Sequence, residues 1–83
     1  MEKSIYSQEY SLFLNQLRNT REKKGFTQTQ VAERLGQTQS FVSKVERGER
    51  RLDIVELRAF CSAIEVGFGA FVSQIEKLLD SQK

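Results

Sequence analysis

The sequence predicts an all-α protein built from five helices. Apolar residues recur at helical spacing along the chain, and most apolar segments begin at a capping residue or end at a glycine. The 83 residues contain no proline, and no segment shows the alternating apolar and polar pattern of a strand. We therefore expect a single domain over residues 1–83, with its core at about residues 10–66.

The first helix is expected at about residues 8–24. Its buried face follows the i, i+3, i+4, i+7 spacing that brings side chains to one side of a helix. The residues on that face are Tyr10, Phe13, Leu14 and Leu17. Gly25 follows two lysines, and a glycine directly after a helical segment commonly ends the helix.

The second and third helices are short and follow each other closely. Thr27 and Gln30 have the spacing of a capping box, and Gly36 ends the second helix after about nine residues. Thr38 is the next N-cap candidate, and Gly48 can adopt the left-handed conformation that closes the third helix. The inward residues are expected to be Val31, Ala32, Leu35, Val42 and Val45.

The fourth and fifth helices have longer apolar stripes. Asp53 and Glu56 repeat the capping pattern ahead of the fourth helix. Its stripe is Ile54, Leu57, Phe60, Cys61 and Ile64, with the lone cysteine expected in the core. A break at residues 66–69 precedes the fifth helix, at about residues 68–80, whose stripe is Phe68, Phe71, Val72, Ile75, Leu78 and Leu79.

Composition excludes several classes of function. The chain has no histidine and one cysteine, so the usual zinc and haem ligand sets, imidazole acid–base chemistry and an intramolecular disulfide are not expected. We expect no metal, no cofactor, no small-molecule ligand and no enzymatic activity. The N-terminus lacks the apolar run of a signal peptide, and no stretch reaches the ~18–20 apolar residues of a membrane span. A cytoplasmic protein without membrane contact is therefore expected.

Charge is distributed unevenly along the chain. Residues 18–51 hold nine Lys or Arg and four Glu, a balance of +5, whereas the remaining residues hold four basic and seven acidic side chains, a balance of −3. A basic middle between acidic ends favours one face for a polyanion and another for a different contact.

Two short helices joined by a tight turn containing glycine form the unit that presents a helix to the major groove of DNA. The third helix displays Gln39, Ser40, Phe41, Ser43, Lys44 and Arg47 on the side away from its inward valines. Gln pairs with adenine and Lys with guanine, so base reading is predicted for Gln39, Ser40, Ser43 and Lys44. Phosphate binding is predicted for Gln28, Thr38, Arg47, Arg50 and Arg51.

The segment FTQTQVAERLGQTQSFVSKVERGERRLDIVELRAFCSAI resembles the Cro/C1 or XRE-type family, the lambda-repressor-like transcription regulators. The matching pieces are T-Q-x-x-x-A-x-x-L-G, then S-x-V-S-K-V-E-R-G, then an apolar fourth helix, and the resemblance covers about residues 12–72. It implies a five-helix lambda-repressor-like domain with a helix-turn-helix formed by helices 2 and 3.

The resemblance also implies roles for single residues. Gln28 matches a phosphate-contacting position, and Gln39, Ser40 and Lys44 match positions that face bases. The residues matching Arg21 and Glu46 commonly form a buried ion pair that ties helix 1 to helix 3.

Three residues depart from the family pattern. Gln37 occupies a usually apolar turn position. Glu65 replaces a glycine at the end of helix 4, so a different shape is expected there. Phe41 is a large aromatic that either touches a thymine methyl or packs against helix 2. Alternative interpretations of the site residues remain open. Ser40 and Ser43 can serve merely to permit close approach to DNA, and Arg50 and Arg51 can pair with Glu49 instead of phosphate.

The fifth helix is the predicted dimerisation surface. Phe68, Phe71 and Ile75 can alternatively pack in the core of a monomer. Val72, Leu78 and Leu79 make the stripe wider than a small core needs, and a wide apolar stripe on a surface marks an interface. Dimerisation is predicted through Phe68, Phe71, Val72, Ile75, Leu78 and Leu79, helped by Ile5 and Tyr6. A homodimer would bind a palindromic operator with half-sites about one turn, ~34 Å, apart.

The expected function is a sequence-specific double-stranded DNA-binding regulator of transcription, acting as a repressor or autoregulator. An antitoxin that also holds a toxin, or a controller protein of a restriction–modification system, is the alternative within DNA binding. An adaptor that binds protein or RNA through its basic face belongs to a different class.

Overall fold

The ends of the helices in this chain are set by side chains and glycines that satisfy free backbone groups. A computed structural model describes residues 8–81, which form five α-helices and no strand. The helices are α1 (Gln8–Lys23), α2 (Gln28–Leu35), α3 (Gln39–Glu46), α4 (Ile54–Ala63) and α5 (Phe68–Asp80). The predicted all-α class and the predicted helix order are confirmed.

Each predicted capping residue makes the bond that its pattern requires. The Thr27 hydroxyl accepts from the Gln30 N–H at 3.1 Å, and the Gln30 side chain accepts from the Thr27 N–H at 2.8 Å. Asp53 and Glu56 exchange the same pair of bonds at 2.7 and 2.9 Å, and the Thr38 hydroxyl accepts from an amide in α3. These bonds satisfy amides that would otherwise lack a partner at a helix start, so the boundaries of α2, α3 and α4 follow from local sequence.

The five helices share one apolar core. Helix α3 packs against α1 and α2, α4 packs against α2 and α5, and α5 returns to α1. The core contains Leu17, Val31, Ala32, Val42, Val45, Phe60, Cys61, Ala63, Ile64 and Phe71. Because α3 is held on its inner side by two neighbouring helices, its outer side remains open to solvent.

Two apolar residues lie differently from the predicted stripes. Ile54 was expected on the buried face of α4, yet it is 69% exposed because it occupies the first residue of the helix, ahead of the turns that meet the core. Phe71 was expected in a dimer surface, yet it is fully buried and makes an edge-on contact with the ring of Phe13. Its surface is thus already used inside the chain, and its place is in the core.

Glu65 closes α4 in the conformation that a glycine usually provides. It has a φ of 63°, the only left-handed non-glycine residue among those described, and such a conformation costs an L-residue ~1–2 kcal/mol. Arg34 donates to the Glu65 carboxylate at 2.9 Å and to the Ala63 carbonyl at 3.0 Å. The Arg34 guanidinium also lies 4.5 Å above the ring of Phe26. Contacts with α2 therefore hold the substituted end of α4 in the left-handed geometry of a glycine, whereas the sequence favours a different shape.

Candidate nucleic-acid interface

The turn between α2 and α3 fixes where the third helix begins. Gly36 has a φ of 69°, and its N–H bonds to carbonyls at the end of α2. The Gln37 N–H donates to the Ala32 carbonyl at 2.9 Å, which completes the turn. Thr38 is extended, with a φ of −89° and a ψ of 158°, and caps α3. A left-handed residue followed closely by an extended cap gives the sharp change of direction of a helix-turn-helix.

Helix α3 is held in place by apolar packing and by one buried ion pair. Val42 and Val45 are fully buried on its inner side. Arg21 donates through Nε and Nη2 to the two carboxylate oxygens of Glu46 at 2.7 and 2.9 Å. A third bond runs from Arg21 Nη1 to the Phe26 carbonyl at 2.8 Å. The structure thus brings together the two residues predicted to form the structural ion pair.

The four predicted base-reading residues share the outer side of α3. At 100° per residue, positions 40, 43 and 44 lie opposite the buried valines, and position 39, three residues before Val42, lies at the edge of that side. Gln39, Ser40 and Lys44 are exposed, whereas Ser43 is half-buried. The Ser43 hydroxyl accepts a hydrogen bond from Arg47, so its own proton remains available for donation.

A chain of hydrogen bonds links the start of α3 to the buried ion pair. Gln39 donates from Nε2 to Gln28 Oε1 at 2.6 Å. Gln28 in turn donates from Nε2 to Glu46 Oε1 at 2.9 Å. The residue predicted to bind phosphate is therefore also the one that orients the first residue of the recognition helix, a link that no local pattern in the sequence reveals.

Arg47 is paired with a carboxylate on the same surface. Its Nε and Nη2 donate to the two oxygens of Glu49 at 3.0 and 3.1 Å. The pKa of Glu49 is lowered, first by the hydrogen bond from Arg47 and then by its charge, and the pKa of Arg47 is raised by the same pairing. The sequence interpretation had considered Glu49 as a partner for Arg50 or Arg51, and the structure gives it to Arg47 instead.

Arg50 is committed to contacts within the chain. Its Nη1 and Nη2 donate to the two oxygens of Glu56 at 2.8 Å each, and Nη1 also donates to the Arg51 carbonyl. The guanidinium lies 5.1 Å above the ring of Phe41. The bond from Arg50, followed by that from the Asp53 amide, lowers the pKa of Glu56 to about 2. Arg50 therefore joins the loop after α3 to the start of α4.

Phe41 is half-buried and packs against the core beneath Arg50. This arrangement favours the packing role over contact with a thymine methyl. Beside it lies a cavity of about 110 Å³, lined by Leu35, Gln37, Phe41, Leu52, Glu56, Ala59 and Phe60. The polar Gln37, where the family pattern has an apolar residue, borders this space.

Thr38 and Arg51, two of the predicted phosphate-binding residues, are both exposed but contact different neighbours. Thr38 is exposed at the start of α3, with its hydroxyl oxygen accepting from the Phe41 N–H at 3.1 Å. Arg51 is exposed, and its guanidinium lies 4.3 Å above the ring of Tyr10 in α1.

The predicted dimer residues of α5 divide into two groups. Phe71 is in the core, and Phe68 and Ile75 are partly buried against it. Val72 is 42% exposed, and Leu78 and Leu79 are half-buried away from the core cluster. A groove of about 520 Å³ at this face is lined by Glu9, Val72, Ile75, Glu76, Leu79 and Asp80. Ile5 and Tyr6, also predicted to help dimerisation, lie outside the described residues.

Residues 8–81 contain no group of three or more acidic or cysteine side chains arranged to hold a metal ion. In the same range, no helix has both the length and the apolar composition needed to cross a bilayer.

Comparisons with known proteins agree with this geometry. The helix-turn-helix family HTH_3 matches residues 17–71 of the chain. Among solved structures, the chain is similar to an XRE-family like protein from Pseudomonas syringae pv. tomato str. DC3000, with 42% identity and a TM-score of 0.84, over 93% of this chain and 94% of that one. A search of curated proteins found no match. The chain belongs to the XRE-type, or Cro/C1-type, family of helix-turn-helix DNA-binding proteins.

Proposed function

We propose that this protein is a sequence-specific regulator of transcription that inserts α3 into the major groove of double-stranded DNA and binds a palindromic operator as a homodimer. In this proposal it acts as a repressor or autoregulator. The observation that carries the proposal is the outer side of α3, where Gln39 is oriented by the chain of bonds that ends at Glu46.

The direction of those bonds favours adenine as the base read by Gln39. A carboxylate only accepts hydrogen bonds, so Glu46 fixes which end of the Gln28 amide faces it. Gln28 then presents its oxygen to Gln39, which uses one N–H to reach it. Gln39 keeps one N–H and one oxygen, which match N7 and the N6 amino group of adenine. Guanine offers two acceptors at the corresponding positions and would face the Gln39 oxygen with no donor.

Other contacts divide between bases and backbone. Lys44, exposed one turn after Ser40, is suited to donate to guanine O6 and N7. The Ser43 hydroxyl, whose oxygen accepts from Arg47, is suited to donate to a base acceptor. Thr38, Arg51 and the N-terminus of α2 at Gln28 are suited to phosphate oxygens, and Arg47 becomes suited when Glu49 releases it.

Selection of bound duplexes from a random pool of DNA tests whether the protein binds DNA in a sequence-specific manner. We expect an enriched palindrome with half-site centres about one turn, ~34 Å, apart. Gln39→Ala should remove the adenine preference at one symmetric pair of positions, and Lys44→Ala should weaken the preferred site by ~1–3 kcal/mol while relaxing one other position. Gln74→Ala, which changes an exposed glutamine of α5, is the matched control. Failure to enrich any sequence would contradict the proposal.

The homodimer is proposed through Val72, Leu78 and Leu79, the apolar residues of α5 that the core cluster does not use. Phe68 and Ile75 lie at the edge of this surface. Leu78→Glu and Val72→Glu should each give monomers in sedimentation and weak operator binding, because a charge on an apolar contact is costly. Ser73→Glu, on an exposed neighbour, is the control. A persistent dimer in both variants, with circular dichroism unchanged, would refute this interface.

A further inference from the structure

The two most exposed large hydrophobic residues of the described chain lie next to each other at the start of α4. Ile54 is 69% exposed and Val55 is 72% exposed. Single exposed aliphatic residues are common on protein surfaces, so the pair alone has no functional meaning. What surrounds Val55 decides whether it belongs to a larger surface.

Val55 begins a stripe along the outer side of α4. Arg58, Ala59 and Ser62 follow at i+3, i+4 and i+7, so all four side chains share one face. The turn into α5 borders this stripe and forms a groove of about 500 Å³. We call it the α4 groove; its lining residues are Val55, Arg58, Ala59, Ser62, Val66 and Phe68. The short side chains in its middle let a second helix approach the backbone of α4 closely.

Arg58 is the only charged residue that lines the α4 groove. Among the described residues it makes no hydrogen bond or ion pair, whereas Arg34, Arg47 and Arg50 each bind a carboxylate. The carboxylates on either side of α4 are already engaged, since Asp53 caps the helix and Glu65 binds Arg34. The groove therefore presents a cation without a counter-charge next to exposed apolar surface.

We propose that the α4 groove binds a partner protein through an acidic amphipathic helix. An apolar side chain of that helix packs against Val55 and Phe68, and a carboxylate pairs with Arg58. This surface does not include the outer side of α3 or the dimer residues Val72, Leu78 and Leu79, and it shares only Phe68 with the edge of the dimer surface. The proposal does not depend on either function. It gives the regulator a position at which a second protein can bind while α3 is on DNA.

A second copy of the chain fits the groove poorly. In a dimer docked groove to groove, the lining of the second copy would bring no carboxylate to pair with Arg58. DNA also fits poorly, because one cation among apolar side chains neutralises little phosphate charge. Charge complementarity thus favours an acidic partner helix.

The test is an NMR titration of the full chain with two synthetic helical peptides of equal length and identical apolar residues. One peptide has glutamate along its polar face and the other has lysine. We expect the glutamate peptide to shift the amide resonances of Val55, Arg58, Ala59, Ser62 and Phe68, and the lysine peptide to leave them unchanged. Arg58→Glu should weaken binding of the glutamate peptide about tenfold and permit binding of the lysine peptide, because like charges at an interface oppose association.

Two control variants separate the groove from the basic DNA-binding face. Arg18→Glu makes the same charge change on an exposed residue of α1, and Arg51→Glu makes it in the loop after α3. Neither should alter binding at the α4 groove. The proposal is overturned if the glutamate peptide shifts only resonances of α3 and is released by Arg51→Glu, if both peptides bind Arg58 and its neighbours equally, or if neither shifts them.

Discussion

Arg21 and Glu46 form a two-point ion pair beneath the recognition helix, with side chains only 8% and 3% exposed. Each partner of the pair makes one further hydrogen bond. Arg21 donates to the Phe26 carbonyl, and Glu46 accepts from Gln28. The same carboxylate therefore positions α3 against α1 and orients the amides that lead to Gln39. The Glu46 side chain therefore affects both the stability of the fold and the base preference proposed for Gln39.

Glu46→Ala should destabilise the fold by ~3–5 kcal/mol, because it leaves the Arg21 guanidinium buried without its counter-charge. Urea unfolding measures this loss. Glu22→Ala is the control, since that carboxylate is 3.7 Å from Arg21 but 58% exposed, and its removal should change stability by less than about 1 kcal/mol. Replacing Arg21 and Glu46 together by methionine should be less costly than Glu46→Ala. Equal effects of Glu46→Ala and Glu22→Ala would contradict the structural role of the pair.

Arg50 and Arg51 are adjacent, yet their substitutions should differ in kind. Arg50→Ala removes the paired bonds to Glu56 and the contact with Phe41, so it should lower the urea midpoint. Arg51→Ala should weaken all duplexes alike and flatten the salt dependence of binding by about 1. A flatter salt dependence in Arg50→Ala with unchanged stability would show that Arg50 binds phosphate instead.

The ion pair between Arg50 and Glu56 predicts that the free energy of unfolding falls at acidic pH. Arg50 and the Asp53 amide lower the pKa of Glu56 from 4.5 to about 2. Below pH 4.5 the unfolded chain takes up a proton at Glu56 that the folded chain does not, so this stabilisation is complete above that pH and is lost as pH falls toward about 2. Glu56→Gln should flatten the decline in urea midpoint across this range. An unchanged decline would mean that other carboxylates account for it.

Glu49 is expected to restrain DNA binding. Its carboxylate binds Arg47 at two points, so phosphate has to compete with it for that guanidinium. Glu49→Gln should raise affinity for all duplexes and steepen the salt dependence by about 1, since one more cation reaches the backbone. Glu33→Gln, at an exposed residue of α2, makes the same change in net charge and serves as the control. Equal gains in the two variants would show that Arg47 is not held back by Glu49.

Alanine substitutions at two left-handed glycines, Gly25 and Gly48, should differ in their cost because only position 48 is closely packed. Gly25 and Gly48 have φ values of 85° and 82°, so alanine is strained at both by ~1–2 kcal/mol. An alanine Cβ at position 25 meets nothing within 4 Å, whereas at position 48 it lies 3.2 Å from Leu14 Cδ1. Gly48→Ala should therefore be the more destabilising change in urea unfolding. The reverse order would mean that Leu14 moves aside at little cost.

Local features of the fold were predictable because their causes lie within a few residues. Thr27, Thr38 and Asp53 each cap a helix through the amide three residues away, so the patterns locate α2, α3 and α4. The wide stripe of α5 was visible as well, but periodicity does not distinguish a residue that meets the core from one that faces solvent. Phe71 and Val72 are neighbours with opposite environments for this reason.

The residues of the interface were predictable from the sequence, whereas the hydrogen bonds and ion pairs that link them across helices were not. The outer side of α3 follows from helix geometry alone. The pairing of Arg50 with Glu56 depends on how the loop after α3 folds back over Phe41, and the link from Gln28 to Glu46 joins two helices. Glu65 shows the same limit, because Arg34 on another helix supports its left-handed backbone.

Cys61 is the only thiol in the chain, and it lies fully buried in the core shared by the five helices. Burial raises its pKa to about 11, so at neutral pH it is protonated as well as inaccessible. An alkylating reagent can modify it only after the helices separate. The rate of modification therefore reports how often the core opens under native conditions. Slower modification on addition of operator DNA would measure how much DNA binding stabilises the fold, with the native cysteine as the probe.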